Sequence, residues 1–213
     1  MLDVGCGQGT QAIRLARSGY EVTGIDLSAE LLETAKELAA GEPSTVKSRL
    51  QFERRDLLAL DEDFIGNFDV VCCHGVLMYM PSLESAIPAV VAAARSGGLV
   101  SVLTRNRAGI AMRAGMSGRW AATIAGFDSR HYNNRLGIEQ VRADEPGEVD
   151  DALSAAGAQR VAWYGVRLFT DHWGSVETPA DIDEIVAAEA EAGRRDPYRA
   201  LCALTHTVAV RSS

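Results

Sequence analysis

Apolar positions along this chain alternate between strand-like runs and helical spacing. Leu2-Asp3-Val4 reads as the tail of a strand. Residues 10–18 follow as a helix, with Ala12, Leu15 and Ala16 on one face and Gly19 as its stop. Residues 21–25 form a second strand ending in Asp26, and Ser28 caps a helix whose Leu31, Leu32, Ala35 and Leu38 recur at helical spacing. A third short strand covers 50–53. The fourth, 68–73, is almost wholly apolar, as expected where helices cover both faces of a parallel sheet. A helix begins near Ser82, and Gly97-Gly98 turns into a fifth strand over 99–103. Asp144-Glu145-Pro146 opens a later helix, with Glu148 in its first turn and Gly157 at its end. Two last strands fall at 161–169 and 203–210. Between them Thr178-Pro179-Ala180-Asp181 starts a helix with Ile182, Ile185 and Val186 on its inner face. This alternation predicts a doubly wound α/β domain built on a mostly parallel, seven-stranded sheet.

The 213 residues, 47% of them apolar, suit one domain with a sizeable core. Apolar runs are broken by charge too often to span a membrane, and Met1-Leu2-Asp3 shows neither the basic start nor the apolar stretch of a signal peptide. Cys6, Cys72, Cys73 and Cys202 form no Cys-x-x-Cys pair, so they read as reduced, mostly buried thiols of a cytoplasmic protein, and the four scattered histidines predict no metal site. A net charge of −8 argues against nucleic acid, but its distribution changes the picture. Between Arg105 and Arg142 stand seven arginines (105, 107, 113, 119, 130, 135, 142) against only Asp128 and Glu139. That segment also carries Trp120, Phe127, His131 and Tyr132. It reads as a positively charged substrate lid over the open end of the sheet, suited to an unpaired base or a flat small molecule.

The chemistry is concentrated in Asp3-Val4-Gly5-Cys6-Gly7-Gln8-Gly9, followed by a lone acid, Asp26, at the end of the next strand. A dinucleotide fold calls for Gly-x-Gly-x-x-Gly. Here the third glycine comes one residue early and Thr10 stands where the last would be. An acid before Gly-x-Gly-x-Gly resembles motif I of the class I S-adenosylmethionine (SAM) methyltransferases. The resemblance implies SAM as cofactor, a Rossmann-like fold, and a site held by Asp3, Gly5, Cys6, Gly7 and Gly9. Glycines let the methionine part pass close to backbone, and Asp26, with Leu27 beside it, accepts the ribose hydroxyls. Asp56, with Leu57, at the end of the third strand is the candidate partner for the adenine amine. Cys73-His74-Gly75-Val76-Leu77 resembles motif IV, which places His74 beside the methyl group. Arg95-Ser96-Gly97-Gly98 corresponds to the usual Pro-Gly-Gly turn, with serine for proline.

Beyond residue 103, Arg105-Asn106-Arg107-Ala108-Gly109, the run 164–171 and Arg195-Asp196-Pro197-Tyr198 resemble the bacterial tRNA carboxymethoxyuridine methyltransferases, which esterify a carboxylate on a modified wobble uridine. A carboxylate acceptor is already ionised at neutral pH and needs a cation to hold it rather than a base. Arginine does so with a two-pronged fork, and Arg105, Asn106 and Arg167 are the candidates, with His74 at the transfer site. Only two lysines, Lys36 and Lys47, accompany the arginines, which departs from an RNA binder. Three readings therefore stand: methyl transfer to an anionic oxygen, on tRNA or on a small molecule; a small-molecule O- or N-methyltransferase; and a non-catalytic SAM-binding module or inactive fragment. The layout expected is one domain over 1–213, with a cofactor half over 1–103, a lid over 104–143 and a final helix and strand pair over 144–213. The chain starts inside the first strand, so an upstream segment is expected to be missing. The sequence leaves the oligomeric state open.

Overall fold

The structure, a computed structural model, describes residues 1–134, 137–174 and 177–213. In chain order the elements are β1 (Leu2–Val4), α1 (Thr10–Arg17), β2 (Val22–Asp26), α2 (Ala29–Ala40), α3 (Ser44–Lys47), β3 (Leu50–Arg54), β4 (Phe68–His74), α4 (Leu83–Ala93), β5 (Ala94–Arg105), α5 (Ala108–Met116), α6 (Trp120–Asp128), β6 (His131–Tyr132), β7 (Val141–Arg142), α7 (Pro146–Ala155), β8 (Ala158–Val166), α8 (Ile182–Ala192) and β9 (Leu204–Arg211). Seven strands make one mixed sheet in the order β3-β2-β1-β4-β5-β9-β8, and β6 pairs antiparallel with β7 apart from it. β1 lies parallel between β2 and β4, with Asp3 opposite Gly24 on one side and Cys72 on the other. The strand order therefore reverses on either side of β1. The carboxyl end of that strand is where an open α/β sheet offers a ligand crevice.

The chain divides into two compact units. One comprises 1–102, 152–161 and 208–213, the other 103–151 and 162–207. In the first, all of β1 is buried, and Val71 and Cys73 of the adjoining β4 and Val100 and Val102 of β5 are fully covered. Ala12, Ile13 and Ala16 of α1, and Leu83, Ala86, Ile87, Val90 and Val91 of α4, complete the core. Ser28 accepts from the Leu31 amide as expected of a cap, and Ser82 forms a capping box with Ser85 at the start of α4.

Several sequence expectations need correction. In α2 the buried stripe is Leu32, Ala35 and Ala39, while Leu31 and Leu38 are exposed. The fourth strand runs on to His74, and the fifth starts at Ala94 rather than at 99, taking Gly97 at φ 70° within it. There an added Cβ on Gly98 would stand 2.8 Å from the Arg95 carbonyl, so backbone contact fixes a glycine at that position. The eighth strand ends at Val166 because Arg167 turns to φ 63°. The supposed lid carries two helices among its described residues, and α5 and α6 pack so closely that a Cβ on Gly126 would meet Ala111 backbone at 3.1 Å. Finally, Ile182 and Val186 of α8 are exposed rather than buried. With Ile185 they line an open cavity of about 530 Å³ with Arg167, Thr170 and Glu189.

Candidate functional site

The turn after β1 carries Gly5, Gly7 and Gly9 at φ 65°, 55° and 75°, a left-handed region costly for any other residue. Each glycine answers a different demand. A Cβ on Gly5 would sit 2.3 Å from Val76 Cγ2, and one on Gly9 would strike the Phe52 ring at 2.8 Å. Gly7 has nothing within 4 Å of that position, so bare backbone there borders open space. α1 begins immediately after, with Gly9 as its cap, and its free amide ends face the turn. The Asp26 carboxylate closes the other side. Its Oδ2 accepts from the Gly7 amide and its Oδ1 from the Ser28 amide, both at 2.9 Å. These bonds hold the acid rigidly beside the glycine turn, with Leu27 exposed next to it.

Asp56 accepts from the Leu58 amide at 2.9 Å, which fixes it at the end of β3, and Leu57 is buried beneath. Cys6 is half-buried, and burial pushes its thiol up to about 12, with Asp3 and Asp26 adding to the shift. Asp3 is buried, and burial raises its carboxyl to about 7 despite hydrogen bonding to backbone. Its Oδ1 accepts from Gln11 Nε2 at 3.0 Å, while its Oδ2 is buried without a partner. His74, at the end of β4, lies with Nδ1 2.7 Å from Gln11 Oε1 and Nε2 2.8 Å from Ser101 Oγ. Asp3, Gly5, Cys6, Gly7, Gly9, Asp26, Leu27, Asp56, Leu57 and His74 thus all fall within the first unit, at the carboxyl ends of β1 to β4 or in the turns that follow. Sequence reading overlooked Gln11 and Ser101. Gln11 has a legible signal, as a polar residue in the first turn of α1, but Ser101 lies in an apolar strand and nothing in its spacing marks it.

The second unit contains the predicted acceptor-binding residues, and it gives two of them internal partners. Arg105 is 3% exposed. Its Nη1 and Nη2 both donate to Asp171 Oδ2 at 3.1 Å, Nη2 also reaches the Gly109 carbonyl, and the Tyr132 ring lies 4.8 Å from the guanidinium. Asn106 is 1% exposed and donates Nδ2 to the carbonyls of Ala200 and Cys202 at 2.9 and 2.8 Å. Arg167 is different: its side chain is 42% exposed and its Nη2 stands 3.9 Å from Asp171 Oδ1. Arg113 approaches the same carboxylate at 4.0 Å. Three guanidinium groups therefore gather on one acid, a net positive site. Neither Arg113 nor Asp171 follows from composition, because their meeting depends on how α5 is placed against the segment after β8. Among the described residues no group of three or more His, Cys, Asp or Glu side chains gathers as a metal site, and no helix is long and apolar enough to cross a membrane.

The same unit holds a cavity of about 810 Å³ whose wall includes Met112, Met116, Trp120, Phe127 and Leu201, with Arg107 among them. Trp120 and Phe127 are each about two-thirds exposed. Arg107 there is paired with Glu145 at 2.5 Å.

Residues 2–100 match the family described as Methyltransferase domain. The tRNA 5-carboxymethoxyuridine methyltransferase of Escherichia coli strain K12 is 28% identical over 210 residues, covering 98% of this chain and 78% of the relative. The ubiquinone biosynthesis O-methyltransferase of Albidiferax ferrireducens is 40% identical over 107 residues, half of this chain and 41% of that one. Among solved structures, a SAM-dependent methyltransferase of Methanosarcina mazei shares the fold at a TM-score of 0.68 and 15% identity, covering 99% of this chain and 91% of its own. The magnesium protoporphyrin IX methyltransferase of Synechocystis, with S-adenosylhomocysteine bound, does so at 0.62 and 18% identity, covering 99% and 73%. Residues 2–100 thus form a methyltransferase domain on a Rossmann-like sheet, and the activity is SAM-dependent methyl transfer with SAM as the cofactor.

Proposed function

We propose that the protein transfers the SAM methyl group to an anionic oxygen, the carboxylate of a modified wobble uridine in tRNA. The observation that carries this reading is the extent of one likeness. The similarity to the E. coli tRNA 5-carboxymethoxyuridine methyltransferase runs through 98% of the chain, whereas that to the ubiquinone enzyme covers half. The cluster on Asp171 supports it, because a site with more guanidinium than carboxylate suits an anion. In this reading Arg167, with Arg113 beside it, holds the acceptor, and Arg105 and Asn106 keep the surrounding frame in place. His74 lines the transfer site, and Asp3, Gly5, Cys6, Gly7, Gly9, Asp26, Leu27, Asp56 and Leu57 hold SAM. The whole chain then works as a single methyltransferase domain in the cytoplasm.

The chemistry needs little beyond alignment. A carboxylate oxygen attacks the sulfonium methyl in line, the C–O bond forms as the C–S bond breaks, and the products are a methyl ester and neutral S-adenosylhomocysteine. No proton moves, so positioning provides much of the rate. The test is incubation with SAM and tRNA carrying the free acid, followed by mass analysis of the nucleosides. The ester is expected, and Arg167→Leu should raise KM at least tenfold with kcat less affected. Absence of ester under saturating SAM would overturn the tRNA reading. A second reading, transfer to a small molecule, is favoured by the 810 Å³ cavity with its aromatic and methionine wall, a volume typical of small-ligand sites. Product formation from small metabolites but not tRNA would select it.

A further inference from the structure

Asp3, Gln11, His74 and Ser101 come from β1, α1, β4 and β5 and form one hydrogen-bonded chain within the first unit. An amide group has one donor end and one acceptor end. With Gln11 Nε2 donating to Asp3 Oδ1, its Oε1 has to accept, so the hydrogen between Gln11 and His74 sits on Nδ1. A neutral ring then presents Nε2 as an acceptor towards Ser101 Oγ. An ionised Asp3 can only accept, so it enforces this polarity.

Protonating Asp3 permits the opposite polarity. The carboxyl O–H donates to Gln11 Oε1, the turned amide donates Nε2–H to His74 Nδ1, and the ring hydrogen moves to Nε2. The two arrangements differ by one proton on Asp3 and by the His74 tautomer. Asp3 is placed to switch between them, since it is 3% exposed and its second oxygen is buried with no partner. The groups around it are Asp26 from β2, Cys6 from the glycine turn and Cys72 and Cys73 from β4. The three thiols are pushed up by burial and stay neutral, so these neighbours offer Asp3 repulsion from Asp26 and no compensating positive charge. Such a carboxylate gains from a cation close by.

We propose that Gln11 is a positioning residue that couples the charge of Asp3 to the tautomer of His74, and that the positively charged methyl donor, on binding, fixes the imidazole in its Nδ1–H form. The coupling rests on the assignment of SAM to the glycine turn beside Asp3. It gives the enzyme a way to favour one defined ring nitrogen at the end of β4 when the donor is bound.

The test uses the full chain labelled with ¹⁵N-histidine, with His74 assigned by comparison with His74→Asn. Ring-nitrogen spectra are followed from acid to alkaline pH, with and without SAM. The free protein should pass from the Nε2–H to the Nδ1–H form as pH rises through neutrality, and SAM should shift the midpoint downward. Gln11→Leu should lose that transition. In a parallel binding titration, SAM affinity in the wild type should weaken about tenfold per pH unit below the Asp3 midpoint. In Asp3→Asn it should be flat. A tautomer transition identical in wild type and Gln11→Leu overturns the coupling, as does a midpoint that SAM leaves in place. Failure of SAM to bind, or binding that leaves the glycine-turn amides unshifted, overturns the site assignment instead. Should Asp3→Asn not fold, the Gln11→Leu comparison decides the matter alone.

Discussion

Asp171→Asn separates a structural role for Arg105 from a catalytic one. The Arg105–Asp171 pair is nearly solvent-free, with side chains 4% and 9% exposed. Removing one partner of a buried pair leaves the other charge uncompensated and costs about 3–5 kcal/mol. The effect should lie toward the upper end here, because Arg113 and Arg167 also face Asp171 at 4.0 and 3.9 Å and would then repel Arg105. For a chain of this size the loss corresponds to a fall in Tm of roughly 6–20 °C. Replacing both partners by apolar side chains, Arg105→Met with Asp171→Leu, removes the stranded charge and should recover most of that stability. Circular dichroism on heating, with methyl transfer measured on the same preparations, gives both readouts. An Asp171→Asn variant within about 1 kcal/mol of wild type would refute the reasoning, since that is the size of a solvent-exposed pair. A double variant that is stable yet inactive would return the Arg105–Asp171 pair to the acceptor site.

Three further outcomes are expected. Gly5→Ala forces a Cβ onto a left-handed backbone, at about 1–2 kcal/mol, and against Val76. Calorimetry should find SAM binding at least tenfold weaker, and unchanged affinity would show that the turn lies away from the cofactor. The folded-state carboxyl of Asp3 lies near 7 against an ordinary 3.8, so between those values the native protein holds a proton that the unfolded chain has lost. Stability of the cofactor-free protein should therefore fall as pH rises through that window, by on the order of 4 kcal/mol for this group, and Asp3→Asn should flatten that slope in urea titrations. The thiols of Cys6 and Cys72 are pushed to about 12 and that of Cys202 to about 11, with Cys73 also raised. A thiol reagent at pH 8 should react slowly with the native protein and fully in denaturant, and a fast native phase would refute the burial argument.

Strands were legible where the apolar run was continuous. Residues 68–73 read as a covered strand because both faces of β4 meet protein, and Ser28 and Ser82 marked helix starts because their hydroxyls satisfy free amides. The face of a helix was less legible. Ile182, Ile185 and Val186 have core-like spacing, yet they border an open cavity, because periodicity says which residues share a face but not what that face meets. Leu31 and Leu38 fail for the same reason: α2 turns its Leu32–Ala35–Ala39 stripe to the sheet, and small alanines allow the close approach.

The sequence by itself determined the glycine turn and the acid beside it, because glycine spacing, a strand-end acid and a helix start are local features that dictate backbone conformation within a few residues. It also determined that positive charge gathers after residue 103. Tertiary structure alone decided which of those arginines would stay exposed. Arg105 and Arg167 look equivalent in the chain, but Asp171, distant in sequence from Arg105, folds against it and withdraws it from solvent, while Arg167 keeps an exposed side chain. It likewise decided that Gln11 should bridge Asp3 and His74. Pairing of polar groups across separate elements depends on the path of the backbone between them, and no spacing rule encodes that path.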